Sequence, residues 1–196
     1  MKTGLVIVAL VVISVSAAIG QKSYLDRGNA FLNEGDFDRA EKVFRQGIKN
    51  NPNDLILKCQ LGLTLIEKEK YDDAELVLAE VLRIDADNIG AHWYSGIGNF
   101  KSAQDRKAVE HFERVIPMLD QSSGQYYSAN WFIGKSYSDL LRTEGLTYAE
   151  TDRMIACYEE YLRLQPNAQD SKSIREYVDR KKKRRPSDNV QKWIDL

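Results

Sequence analysis

The chain has 196 residues, with 28 Lys and Arg against 29 Asp and Glu and a formal net charge of −1. Hydrophobic residues make up 43% and charged residues 29%, an ordinary globular balance at a length that buries a core without disulfides or a structural metal. The charge balance excludes a global nucleic-acid signature, and the two cysteines, Cys59 and Cys157, have neither metal-like spacing nor a CxxC pairing and read as small buried hydrophobes.

Residues 1–20 form a separate object. Lys2 supplies a short positive start, and Leu5 to Val15 is almost unbroken Leu, Val, Ile and Ala. Ser16-Ala17-Ala18-Ile19-Gly20 then offers small residues for cleavage before Gln21, the layout of an export signal. The alternative is an uncleaved membrane anchor, although the run from Leu5 to Gly20 is shorter than the about 20 residues that a crossing helix needs. No cysteine stands near the junction, which excludes a lipoprotein anchor. The chain therefore divides into residues 1–20 (signal peptide or short membrane anchor), a helical domain over 21–185 and a tail over 186–196. The expected location is periplasmic or secreted, or membrane-anchored on the alternative reading.

Past Gln21 the sequence repeats itself. Gly28, Gly62 and Gly96 recur at one constant interval, and the same interval separates Ala40, Ala74 and Ala108, and Phe44, Leu78 and Phe112. Three registers agree on a period of about 34 residues, within the range of stacked repeat architectures. Hydrophobic spacing and caps predict helices near 22–34 and 37–50, then 55–68 and 71–84, then 88–102 and 105–118. In each pair the Gly and the Ala let two antiparallel helices approach, and the larger residue fills the space beside the crossing. One pair buries too little alone, so units must stack.

A fourth pair is predicted near 125–142 and 148–164. Trp131, Gly134 and Tyr137 open it, and Tyr158 and Pro166 keep the spacing of Phe44 and Pro52. The step from Gly134 to Tyr158 is longer than the step from Gly96 to Phe112, so this hairpin holds an insertion, around Leu141–Glu150. Thr147-x-x-Glu150 reads as a capping box. A last helix near 171–184 has Ile174, Tyr177 and Val178 on one face, as a terminal cap requires. It ends in the basic run Arg180 to Arg185, read as a solvated helix end favoured by the dipole. In the tail, Val190, Trp193 and Ile194 follow helical spacing in a segment too short to stand alone. It docks either on its own last helix or, through Trp193, in an aromatic groove of its own or a neighbouring molecule.

Period and residue types resemble the tetratricopeptide repeat over about residues 21–166. Tyr24, Gly28, Phe31, Ala40, Phe44 and Pro52 match that family's pattern best, with Arg27 departing from the usual Leu; Ala86 replaces the proline of the second unit, and Asp105 stands where Phe37 and Tyr71 open the earlier second helices. The resemblance implies an all-α, right-handed helix-turn-helix solenoid of three regular units, a fourth with insertions and a C-terminal capping helix. It implies repeat packing through Gly28, Ala40, Phe44, Gly62, Ala74, Leu78, Gly96, Ala108, Phe112, Gly134 and Tyr158. It also implies a concave partner groove on the first helices, here Asn29, Asn33, Gln60, Leu63, Glu67, Trp93, Tyr94, Ile97, Phe100, Lys101, Trp131, Phe132 and Lys135. Trp93-Tyr94 and Trp131-Phe132 argue for a binding surface, because two adjacent rings on a helix do not share one core direction. Of the positions that clamp a chaperone carboxylate in some members, Asn29 fits; Leu25, Gln60, Gly90 and Tyr94 occupy the others, which disfavours that ligand and points to an apolar or aromatic one.

No catalytic motif is found. His92 and His111 lie inside repeat helices with no ligand-spaced partner, and Gly96-x-Gly98 sits within a helix rather than after a strand. The expectation is an exported scaffold or adaptor that binds a protein or peptide, not an enzyme, with no cofactor, no metal and no nucleic acid. The alternative is a membrane-anchored structural subunit of an envelope complex, and self-association through the Trp193 tail is a further route to assembly.

Overall fold

A computed structural model describes residues 24–185 and 191–194. The signal or anchor segment, residues 1–20, lies outside the described residues. The chain divides into two compact units, Met1–Ala86 and Asp87–Leu196. In the N-terminal unit the helices are α1 (24–33), α2 (Phe37–Asn50), α3 (Leu55–Glu67) and α4 (Tyr71–Ile84). The C-terminal unit holds α5 (Ile89–Lys101), α6 (Asp105–Val115), α7 (Gly124–Thr143), α8 (Tyr148–Leu164) and α9 (Ser171–Arg184). No described helix is long and apolar enough to cross a membrane.

Local chemistry sets these boundaries. Asp36, Asp54, Asn88 and Ser123 each accept a hydrogen bond from the backbone N–H three residues on, at 2.9, 3.1, 3.0 and 3.1 Å, and so cap α2, α3, α5 and α7. Thr147 and Glu150 form the reciprocal capping box of α8: Oγ1 of Thr147 accepts from Glu150 N, and Oε2 of Glu150 accepts from Thr147 N at 2.7 Å. The helix expected over 105–118 stops at Val115 and tightens into a 3₁₀ turn, Ile116–Met118. Pro117 is the reason: it has no N–H to donate, and its ring clashes with a carbonyl four residues back.

The turn inside each of the first three hairpins has one geometry. Gly35, Glu69 and Ala103, spaced at the repeat interval, sit at φ +74°, +59° and +58°. Asp36 N–H reaches the Phe31 carbonyl at 2.9 Å, Lys70 N–H that of Leu65 at 2.8 Å and Gln104 N–H that of Asn99 at 2.8 Å. These six-to-one bonds close the helix end and satisfy an orphan carbonyl. The second and third hairpins hold side chains in left-handed backbone there, at a cost of roughly 1–2 kcal/mol each.

The helix crossings leave no room for a side chain. A Cβ on Gly28 would lie 2.2 Å from the Phe44 ring, on Gly62 2.6 Å from Leu78, on Gly96 2.8 Å from Phe112 and on Gly134 2.8 Å from Tyr158. Ala40, Ala74 and Ala108 are likewise buried at these crossings. Cys59 and Cys157 are buried free thiols, and burial pushes their pKa values up to about 11 and about 12, which makes them inert.

Ion pairs join the helices across their outer faces. Burial opposes the charge on Glu41, but hydrogen bonds from Lys68 and Arg45 outweigh it and bring the carboxyl down to about 2. Arg153 donates twice to Glu113, at 2.6 and 2.9 Å, tying α8 to α6. Arg106 on α6 donates to Glu144 at 2.7 Å and to Glu150 at 2.8 Å, gripping both sides of the short α7–α8 loop.

Candidate partner-binding surfaces

In the N-terminal unit, five residues of the expected groove come to one place. Asn29 and Asn33 are four apart on α1, and Gln60, Leu63 and Glu67 fall at intervals of three and four on α3, so each set shares a helix face. Together with Leu32 and Phe37 they line a concavity of about 510 Å³. Asn33 and Glu67 are exposed; Asn29, Gln60 and Leu63 are half-buried. The three amides each carry donor and acceptor atoms. The groove register misses Leu32 and Phe37, although Leu32 stands three residues after Asn29 and Phe37 opens the next helix.

The C-terminal unit uses its aromatic residues differently. Trp93, Ile97 and Phe100 on α5 and Phe132 on α7 pack, partly buried, against a core of Ala108, Val109, Phe112, Val115, Ala129, Ile133 and Cys157. Phe132 stacks on Phe112 at 4.8 Å with the ring planes 2° apart. Trp93 meets Phe112 edge-on at 5.5 Å. Phe100 touches Trp131 at 5.9 Å and Phe132 at 5.0 Å, so the two adjacent rings of α7 do converge on one neighbour. Trp131 has its indole N–H committed, donating to Asp170 Oδ2 at 2.8 Å, while Tyr161 O–H donates to Oδ1 of the same carboxylate at 2.8 Å. Tyr94 is half-buried, Lys101 is exposed, and Lys135 pairs with Asp139.

His92 and His111, which have no ligand-spaced partner in the sequence, meet across the α5–α6 hairpin: their Nδ1 atoms stand 2.9 Å apart, one donating and the other accepting. The pair escapes a search by spacing because 19 residues and a helix turn separate the two. Among the described residues no group of three or more His, Cys, Asp or Glu is placed to hold a metal ion. The basic run is less solvated than its sequence implies. Lys181 is only 3% exposed, Lys182 pairs with Glu159, and Arg185 pairs with Asp152 and lies 3.7 Å over the Tyr148 ring.

Trp193 lies away from the groove aromatics. It packs against the α7–α9 core with Leu146, Tyr177 and Ile174, on the chain's own last helix and loop.

Comparison with known proteins fits these hairpins. A tetratricopeptide-repeat family model matches residues 25–89. Cell division cycle protein 27 homolog A from Arabidopsis thaliana is 24% identical over 135 residues, covering 66% of this chain and 16% of that protein, so the chain spans about a sixth of that relative's length. The crystal structure of MamA protein superposes with a TM-score of 0.63 at 22% identity, over 84% of this chain and 88% of MamA. The second TPR domain of human RPAP3, solved by NMR in complex with the HSP70 peptide SGPTIEEVD, superposes with a TM-score of 0.51 at 23% identity, over 58% of this chain and 93% of that domain.

Proposed function

Because this chain belongs to the tetratricopeptide-repeat family, we propose that it is an exported scaffold holding an extended protein segment against the first-helix faces of its hairpins. The observation that carries this reading is the concavity between α1 and α3. Asn29, Asn33 and Gln60 can each accept from and donate to a peptide backbone, and Leu32, Phe37 and Leu63 offer apolar contacts between them. The RPAP3 domain is in complex with a peptide that ends in Glu-Glu-Val-Asp. Here the charged lining residue is Glu67, which repels a carboxylate, so the segment that fits is apolar and neutral or basic. In the C-terminal unit the outward faces of Trp93, Tyr94, Ile97, Phe100, Lys101, Trp131, Phe132 and Lys135 provide a second surface. With the Trp131 N–H held by Asp170, a ligand there meets ring faces rather than a donor.

The test is selection of random peptides on the wild-type chain. Selected peptides should bind Asn33→Arg/Gln60→Arg at least tenfold more weakly, with helicity unchanged. Equal binding by that variant would place the ligand elsewhere.

Export remains the reading for residues 1–20, and an uncleaved anchor in an envelope complex is favoured only by the apolar run Leu5–Val15. The intact mass of the chain from its native source separates the two. A mature protein starting at Gln21 is the expected result, and a chain retaining residues 1–20 would make it an anchored subunit.

A further inference from the structure

Residues 191–194 lie against the loop that enters α8. Leu146 N–H donates to the Trp193 carbonyl at 2.8 Å, and Trp193 N–H donates to the Leu146 carbonyl at 2.7 Å, an antiparallel bridge of one residue pair. Gly145, with φ +77°, permits the approach: a Cβ there would stand 2.6 Å from Ile194 Cγ1 and 2.9 Å from the Trp193 carbonyl oxygen. Beside it, the Lys181 ammonium lies 5.0 Å from the Tyr177 ring centroid and 5.4 Å from that of Trp193. That cation is held between two aromatic faces, which offsets part of the cost of its burial. Arg106 clamps the loop through Glu144 and Glu150, so the backbone edge at Leu146 is held in place before anything docks on it.

This is how a sheet edge takes an added strand: backbone bonds supply the attachment, and a pocket for one side chain supplies the choice. The occupant seen in place defines the ligand, an extended segment with Trp followed by an aliphatic residue. A second copy of this chain carries the same segment and would reproduce every contact without any new one, the condition under which exchange of an element between copies costs little. Within one chain, residues 186–190 tether the segment to Arg185, giving the tail an effective concentration on the order of millimolar at its own site.

We propose that the Gly145–Leu146 edge with its Tyr177–Lys181 shelf is a strand-accepting docking site for the tail of a second copy, closed in each free chain by its own residues 191–194. This inference does not rest on the groove reading.

The test uses full-length chains. Trp193→Ala leaves the acceptor open and spoils the donor. Gly145→Val leaves the tail intact and blocks the acceptor, since a β-branched residue is strained at that φ and its Cβ collides with the Trp193 carbonyl. A fluorescein-labelled peptide of residues 191–196 should bind Trp193→Ala at least tenfold more tightly than wild type, where the tethered tail competes. The same peptide with N-methyl-Trp, which lacks the N–H given to Leu146, should bind at least tenfold more weakly; this arm changes no protein residue and stands even where Gly145→Val misfolds. An equimolar mixture of the two variants at several hundred micromolar should sediment as a heterodimer, with each alone monomeric. Equal peptide affinity for wild type and Trp193→Ala, or no loss on N-methylation, overturns the docking site. A mixture that stays monomeric overturns the second copy as its occupant.

Discussion

Replacing Phe112 with alanine is expected to destabilise the C-terminal unit by about 3–5 kcal/mol, the range for a fully buried phenylalanine whose cavity cannot collapse. Collapse is blocked on three sides. Phe132 stacks flat on the ring, Trp93 abuts its edge, and the α5 backbone at Gly96 lies against it. Phe112 is completely buried, so no rotamer lets solvent refill the space. Denaturant titration followed by tryptophan fluorescence reads this directly, because Trp93 and Trp131 belong to the same ring cluster. The midpoint should fall with the slope unchanged, and Phe112→Leu should lose less than half as much. A loss below about 1 kcal/mol for alanine would mean that the α5–α6–α7 core does not centre on this ring.

The second large effect belongs to the N-terminal unit. Gly28→Ala places a methyl group 2.2 Å from Cε1 and 2.4 Å from Cζ of Phe44, a ring with no exposed surface into which to swing. Overpacking of this kind costs up to about 3 kcal/mol, and alanine returns about 1 kcal/mol in helix propensity. A net loss of about 2 kcal/mol is expected. The specific signature is rescue: Gly28→Ala/Phe44→Leu should be at least about 1 kcal/mol less destabilised than the sum of its single changes, since the smaller side chain vacates the collision. Strict additivity would show that the cost arises elsewhere.

Helix pairing is readable in the sequence because it rests on a fixed period, and Gly62, Ala74 and Leu78 advertise that period by residue type. Caps are readable for the same reason, since Asp54 and Thr147 act on backbone only three residues away. The left-handed turn position also recurs once in each of the first three repeats, yet it stays hidden, because Gly35, Glu69 and Ala103 share a φ and no side-chain property. Contacts that span a turn are illegible in principle. Nothing local marks His92 as the partner of His111, Asp170 as the acceptor for Trp131, or Lys181 as a buried cation beneath Trp193. The groove register, carried over from the family resemblance, names Asn29 and Gln60 as facing positions. It cannot tell that Phe132 lies flat on Phe112, since a helical register gives a direction and the ring stack depends on what arrives from the next helix.

Apart from those of the tail, the contacts described above join helices no more than two apart in the chain, so each hairpin packs as soon as the next one is made. The bridge from Leu146 to Trp193 is the exception, closing a span that contains all of α8 and α9. Synthesis at about 5–20 residues per second places Trp193 roughly 2–9 s after Leu146, so this edge is among the last contacts to close. On the docking proposal, a chain that meets another before its own tail has settled links to it, and the tether of residues 186–190 returns it to the closed form at the rate at which the foreign tail leaves.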